Sequence, residues 1–339
     1  MPSQISRRAV LALGFVFGFG TPGSAQEESG PYILATAEEG GTYYPVGVAL
    51  AVLTQIRLQG SLGISMEAVT SGGSLENIRM MRDDEAQFGI LQVLAGQWAR
   101  DADGPLSEEG PQENLRAITM LWPDLAHFLI RSDLVDTGTI DDLANLAGLG
   151  FSMGPLGSGT EYSNAEMFRN YGFDYESWQP VFQSFDVSAQ ALLDGSIAGV
   201  NIGSGIGVAS VTHILTQMGD GMTLLSVTDD QAAQLDGGQG FVGTTIIPPG
   251  TYPGVDAPLQ TVTMPNFLAV NADVPEEEVY QITRTMFENL AYLCDVHQAA
   301  CALSLDSAVT GLPVPLHPGA ERYFREAGIA LPVTEVANQ

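Results

Sequence analysis

Lysine is missing from the chain altogether. The 339 residues carry 12 basic side chains, all of them arginine, against 40 Asp and Glu, for a net charge of −28. A surplus of acid on that scale repels nucleic acid and anionic lipid, and it speaks to solubility and partners more than to fold. Without lysine there can be no phosphate-binding P-loop of the usual kind. Between Arg169 and Arg284 there is no arginine either. Two settings fit this balance: a saline medium, where salt screens self-repulsion, or a generally acidic, GC-rich proteome. Cysteine is almost as scarce, with Cys294 and Cys301 the only two. Seven positions apart on an unbroken helix, their Cα atoms would stand about 10 Å apart, beyond the ~7 Å reach of a disulfide. A bridge therefore needs a helix break within residues 295–298; otherwise the pair are buried thiols. His127, His213, His297 and His317 show no metal-ligating spacing, and a Cys/His centre at His297 is short of ligands. No metal and no cofactor are expected. Long apolar runs are absent too: none approaches the ~20 residues of a membrane span.

The N-terminus carries a clear pattern. Arg7-Arg8 precede an apolar stretch over 9–19, and Gly23-Ser24-Ala25 supplies a small-x-small cleavage site. Residues 1–25 are expected to be a signal peptide that sends the chain to the periplasm. Arg7-Arg8 also match a twin-arginine export signal, and an ordinary secretory signal fits equally. Cleavage after Ala25 leaves 40 acids against 10 arginines, a net charge of −30. Export makes a disulfide permissible. The remaining length suits two domains, and a 45% hydrophobic fraction is enough for packed cores.

Strand-like runs fall at 32–36, 64–69, 86–91, 117–121, 126–130, 148–153, 198–202, 261–264 and 267–270. Helical patterns fall at 44–56, 74–81, 161–171, 187–194, 208–218 and from 275 onward. Strands alternating with helices at this spacing mean βαβ units and parallel pairing. In three places a strand passes through a glycine turn into a helix: at 37–42, 70–74 and 154–160. Each turn presents backbone N–H groups at a helix N-terminus, beyond the carboxyl ends of strands, where anions and polar ligand groups bind. Together the three suggest one shared ligand cleft. Gln92, after the 86–91 strand, fits either a cleft wall or the surface.

Catalytic motifs are weak. Gly150-Phe151-Ser152-Met153-Gly154 matches G-x-S-x-G, but Gly154-Pro155 follows where a nucleophile elbow needs an immediate helix. Gly203-Ser204-Gly205-Ile206-Gly207 lacks the last glycine of a dinucleotide fingerprint. His317 stands in a proline-rich loop and reads as a structural histidine capping nearby carbonyls. The chain is not expected to be an enzyme.

Five motifs occur in order: Gly40-Gly41-Thr42-Tyr43-Tyr44-Pro45-Val46-Gly47, Thr70-Ser71-Gly72-Gly73-Ser74-Leu75-Glu76-Asn77, Gly154-Pro155-Leu156-Gly157-Ser158-Gly159-Thr160-Glu161, Pro249-Gly250-Thr251-Tyr252-Pro253-Gly254, and Val314-Pro315-Leu316-His317-Pro318-Gly319-Ala320 with Tyr323. With these the chain resembles, over about residues 31–328, the TAXI family of TRAP-transporter solute-binding receptors. The resemblance implies an α/β type II periplasmic binding protein, two lobes each with a mixed, mostly parallel sheet flanked by helices and joined by hinge strands. Residues 31–125 and 255–339 would form lobe 1, and 126–254 lobe 2. It further implies capture of a small polar solute, an amino acid or a carboxylate such as glutamate or 2-oxoglutarate, and delivery to TRAP membrane permease subunits. A monomer is expected. A periplasmic ligand sensor serving a signalling partner is the alternative.

Carried over residue by residue, the ligand shell would use Gly41, Thr42 and Tyr43; Ser71, Gly73, Ser74 and Asn77; Gln92; and Gly157, Ser158, Gly159 and Thr160. No arginine lies in these ligand-shell motifs, so neutral donors would hold the solute. The chain departs from the family at the first turn, where Thr36-Ala37-Glu38-Glu39-Gly40-Gly41-Thr42 stands for the usual Thr-Gly-Ser-x-Gly-Gly-Thr, and again at Ala198-Gly199, where the family has Asp-Ala. Two acids beside a pocket would disfavour a dianion and suit an amine, making Glu38 and Glu39 specificity-modifying; alternatively both face solvent.

Overall fold

Period-two alternation settles which face each strand residue packs on. The computed structural model describes residues 30–331; the signal-peptide and twin-arginine expectations lie outside them. The chain begins β1 (Tyr32–Ala35), α1 (Tyr43–Thr54), a π-turn over Gln55–Gln59, the short α2 (Gly60–Leu62), β2 (Met66–Val69), α3 (Ser74–Arg82), β3 (Phe88–Gln92) and α4 (Val93–Asp101). It continues β4 (Leu115–Arg131), β5 (Gly150–Ser152), α5 (Gly159–Tyr171), β6 (Gln179–Val181), α6 (Phe185–Leu193), β7 (Gly199–Ser204), α7 (Ala209–Met218), β8 (Met222–Leu224) and α8 (Asp229–Asp236). It closes β9 (Gly243–Ile247), β10 (Leu259–Asn271), α9 (Glu276–Phe287), α10 (Leu290–Val296) and α11 (Pro318–Glu326).

The strands form one mixed sheet in the order β2-β1-β3-β10-β4-β7-β5-β6, with β9 on β10 and β8 on β4. Its flanks repeat one plan. β2-β1-β3 are parallel on one side, and β6-β5-β7 on the other. Between them β4 and β10 run antiparallel.

β4 and β10 correct the sequence reading, which divides each into two strands. Pro123 and Pro265 are register partners, followed by a register shift before Phe267. A proline normally stays out of a central strand because it removes a ladder bond. Here two share one rung, and the interruption falls where both strands change neighbours. β4 takes up β7 from Leu125 onward; β10 leaves β9 at Thr263 and meets β3 at Asn266. Among the described residues the chain crosses between halves only through these two strands.

Each half buries both faces of its sheet. In the first, Leu34, Phe88, Ile90 and Leu268 pack under α1 and α9, while Ala35, Leu91, Phe267 and Ala269 face α3 and α4. In the second, Phe128, Ile130 and Phe151 pack on Met167 and Phe168 of α5, and Leu129, Val200 and Ile202 on α6 and α7. Val255 and Val262 pack with the second half. Packing thus returns to the first half within β10, later than residue 255. No helix among the described residues is long and apolar enough to cross a membrane.

Cys294 and Cys301 form a disulfide with Cα atoms 4.4 Å apart. The break that makes this reachable is at His297, whose φ of −149° and ψ of 131° end α10. His317 caps α11, accepting the Gly319 N–H at Nδ1 (3.1 Å); the partner is an amide, where the sequence reading has carbonyls.

Candidate functional site

The three glycine turns meet. The starts of α1 and α3 come from the first half and that of α5 from the second, and they border one small cavity of about 40 Å³. Gly73 has φ of +113°, a conformation that favours glycine, and a Cβ there would stand 3.4 Å from Ser158 Cα. A Cβ on Gly159 would stand 2.7 Å from Gln92 Cδ and 3.0 Å from Ser74 Oγ. Two glycines thus let the α3 and α5 turns touch.

Of the residues expected to hold the solute, Gly41, Thr42, Tyr43, Gly73, Ser74 and Gln92 border the cavity from the first half. Ser158, Gly159 and Thr160 border it from the second. Three others do not. Asn77 is fully buried and donates from Nδ2 to the Thr36 and Ile90 carbonyls (2.7 and 2.9 Å). Ser71 Oγ donates to Asn77 Oδ1 (2.6 Å). These two tie the turn to β1 and β3 from behind. Gly157 gives its N–H to Glu161 Oε2 (2.5 Å). Of the two acids, Glu38 borders the cavity and Glu39 is exposed. Sequence reasoning missed Asp124, Phe185 and Ser204, which also line it.

Hydrogen bonds cross between the halves around the cavity. The Thr42 N–H donates to Ser204 Oγ and the Gly205 N–H to Thr42 Oγ1, each at 3.1 Å. Ser163 Oγ donates to Gln92 Oε1 (2.7 Å) and Ser210 Oγ to the Gly40 carbonyl (2.9 Å). Glu38 Oε1 accepts the Phe185 N–H (2.8 Å), placing a carboxylate at the positive end of α6.

The two halves use one device at their turns. Glu76 Oε2 accepts the Gly72 N–H (2.7 Å) as Glu161 accepts that of Gly157. Each acid lies in the first turn of its own helix, α3 or α5. A negative charge already in place there makes that helix start less inviting to an anionic ligand.

Glu38 and Asp124 are the acids bordering the cavity, and among the described residues no arginine or histidine borders it. Burial pushes the Glu38 carboxyl up to about 7, with the Asp186 charge adding and the Phe185 amide opposing. Burial pushes Asp124 up to about 7 as well, opposed by Asn266, Gln92, Tyr43 and Trp122 nearby. Burial, with the Asp124 charge, holds the Tyr43 hydroxyl protonated.

Ser152 is buried in β5 and bonds the Ser188 hydroxyl at 2.7 Å. The next helix begins at Gly159, so the G-x-S-x-G match forms no nucleophile elbow. His127 is pushed down to about 4 by burial. Neutral, it sits between the Ile202 carbonyl at Nδ1 and the Tyr252 hydroxyl at Nε2, both at 2.8 Å. It is structural.

Against known proteins, a family model described as NMT1-like matches residues 34–328. Among solved structures, the periplasmic binding protein BugD is 13% identical, with 89% of this chain and 98% of that chain covered and a TM-score of 0.52. The Xanthomonas citri protein XAC2383, bound to ATP, is 11% identical, with 88% and 95% covered and a TM-score of 0.50. At such identities the likeness is one of fold: this chain has the α/β architecture of periplasmic binding proteins.

Proposed function

The chain belongs to the NMT1-like family, and from that premise we propose that it is the solute-binding subunit of a transporter, an exported receptor that closes its two halves on a small polar solute and hands it to a membrane permease. One observation carries this reading: helix starts from both halves meet around one cavity, and hydrogen bonds join the halves across it. The space left between the halves is about 40 Å³, far below the roughly 300 to 1,000 Å³ of ligand sites, so the halves would have to part to admit a solute of amino-acid size. Thr42, Ser74, Ser158 and Thr160 would offer hydroxyls, and the first amides of α1, α3 and α5 would offer N–H donors. β4 and β10 would be the hinge. No nucleophile paired with a base borders the cavity, in keeping with a binding role.

The five ordered motifs favour a TRAP-type partner, driven by an ion gradient, and a solute of the amino-acid or carboxylate class such as glutamate or 2-oxoglutarate. A thermal-shift screen against amino acids, keto acids and osmolytes tests the receptor reading. A ligand at 100 times its Kd adds about 2.7 kcal/mol of stability, and a panel that moves nothing overturns it. Uptake into vesicles carrying the permease, driven by an ion gradient without ATP, tests the TRAP assignment; dependence on ATP overturns that part alone.

A further inference from the structure

Asp124 is 2% exposed and borders the cavity. Its Oδ1 has no hydrogen-bond partner among the described residues, and its Oδ2 receives one long bond, from Gln92 Nε2 at 3.4 Å. Two of its neighbours are partly committed, although the second N–H of Asn266 and the Trp122 indole stay available to it. The Tyr43 hydroxyl donates to Asn266 Oδ1 (2.5 Å), and Asn266 Nδ2 donates to the Trp122 carbonyl (3.0 Å). Ser163 donates to Gln92 Oε1, which turns the donor end of that amide toward Asp124.

A carboxyl kept neutral in a closed site needs an acceptor for its O–H. The groups around Asp124 are donors instead: the Gln92 amide nitrogen and the indole N–H of Trp122, itself without a partner. They favour the anion. An anion that deeply buried is costly unless paired, and no arginine borders the cavity. Among the described residues lining the cavity there is no counter-charge for it, and a cationic solute would supply one.

We infer that Asp124 is the cation-binding residue of the cavity and that the solute it selects carries a protonated nitrogen. This rests on the receptor reading and narrows it. The inference gives a role to an acid held where β4 crosses between the halves, at the wall of the cavity. A zwitterion would place its ammonium at Asp124. The raised pKa of Asp124 follows from its being buried without that partner, and a bound cation would bring it down again.

The test uses matched pairs that differ only at the nitrogen: L-glutamate with 2-oxoglutarate, and L-alanine with pyruvate, titrated calorimetrically into the purified full chain. The amino member of a binding pair should bind at least about tenfold tighter, the range of one charged hydrogen bond. Asp124→Asn should abolish the preference by weakening the amino member about tenfold or more while the keto member holds or gains. In the wild type, whose folding is not in question, the amino-to-keto affinity ratio should rise from pH 6 to pH 8 as Asp124 ionises. A keto acid that binds as tightly as its amino partner, or a ratio that Asp124→Asn or pH leaves unchanged, overturns the assignment and leaves the receptor reading standing. Failure of all four probes to bind overturns both.

Discussion

The two halves share a plan and divide the chemistry. β2-β1-β3 and β6-β5-β7 have the same order and the same parallel pairing, and in each a glutamate at a helix start takes back the amide of a glycine in its turn. Yet the first half brings Glu38 and Gln92 to the cavity, and the second brings Ser158, Thr160, Phe185 and Ser204. Hydroxyls come from both halves, while the acids are Glu38 on the first half and Asp124 where β4 crosses between them. A repeated scaffold thus sets where a ligand sits, and the residues placed at equivalent turns decide what it is.

The cores differ as well, and there the largest effect is expected. Phe168 is fully buried and packs against Phe128, Phe151, Phe173, Tyr175 and Trp178. Phe168→Ala should cost about 3–5 kcal/mol. Because β4 and β10 run through both halves, calorimetry should show one transition lowered as a unit. A variant in which only part of the heat moves would mean the halves unfold separately, and the comparison would then hold for the cavity alone.

A bulkier residue at the contact between halves comes next. Gly159→Val puts a side chain where Gln92 and Ser74 already stand. Overpacking of this kind costs about 1–3 kcal/mol, all of it charged to the closed form, so affinity for any solute that stabilises the wild type should fall about ten- to a hundredfold. Unchanged affinity would mean that binding does not need the halves this close.

Much of this was legible in the sequence and the part that was not has a physical cause. Helix starts announce themselves by glycine, serine and threonine, so the turns at 37–42, 70–74 and 154–160 pointed to the cavity walls. Asn77 and Ser71 sit in such a turn and are indistinguishable from ligand residues until their bonds to β1 and β3 are seen. Asp124 was missed for a different reason. Pro123 beside it reads as a strand end, because a lone proline in a central strand is unfavourable, and nothing local reveals that Pro265 shares its rung. A single acid within the mostly apolar stretch 117–130, whose other polar residues are Thr119 and His127, was the available signal. The disulfide needed a helix break that neither proline nor glycine marks; His297 supplies it.

The first half also carries the staple, at Cys294–Cys301, and among the described residues the second has none. Closing so short a loop is worth about 2 kcal/mol in the chain-entropy account. Cys301→Ser should lower stability by that much and leave the affinity ratio of amino to keto acids untouched, since neither cysteine borders the cavity. A change in that ratio would tie the staple to the binding geometry.

The smallest effect separates the two acids. Glu38 differs from Asp124 in having a partner, the Phe185 N–H, and a like charge across the cleft, Asp186, whose Oδ1 also accepts from Ser210. Its carboxyl is raised from 4.5 to about 7 in the folded chain, so the native state binds this proton more tightly than the unfolded chain does. Stability from this group is therefore complete below about pH 4.5 and is lost as pH rises through 7. Glu38→Gln keeps an oxygen for Phe185 and removes the charge. The variant should match the wild type near pH 4 and exceed it at pH 8 by about 1 kcal/mol, below the ceiling the shift sets because Glu38 is partly exposed. Melting temperatures across that range read it directly. Asp124 is raised in the same direction, so some pH dependence must survive the substitution; a profile made entirely flat would assign the whole effect to Glu38 and leave Asp124 without a titrating role. A variant less stable at pH 8 than the wild type would instead make the ionised Glu38 a true latch, with the α6 N-terminus outweighing Asp186, and the first half would then contribute its charge to closure as well as to the solute.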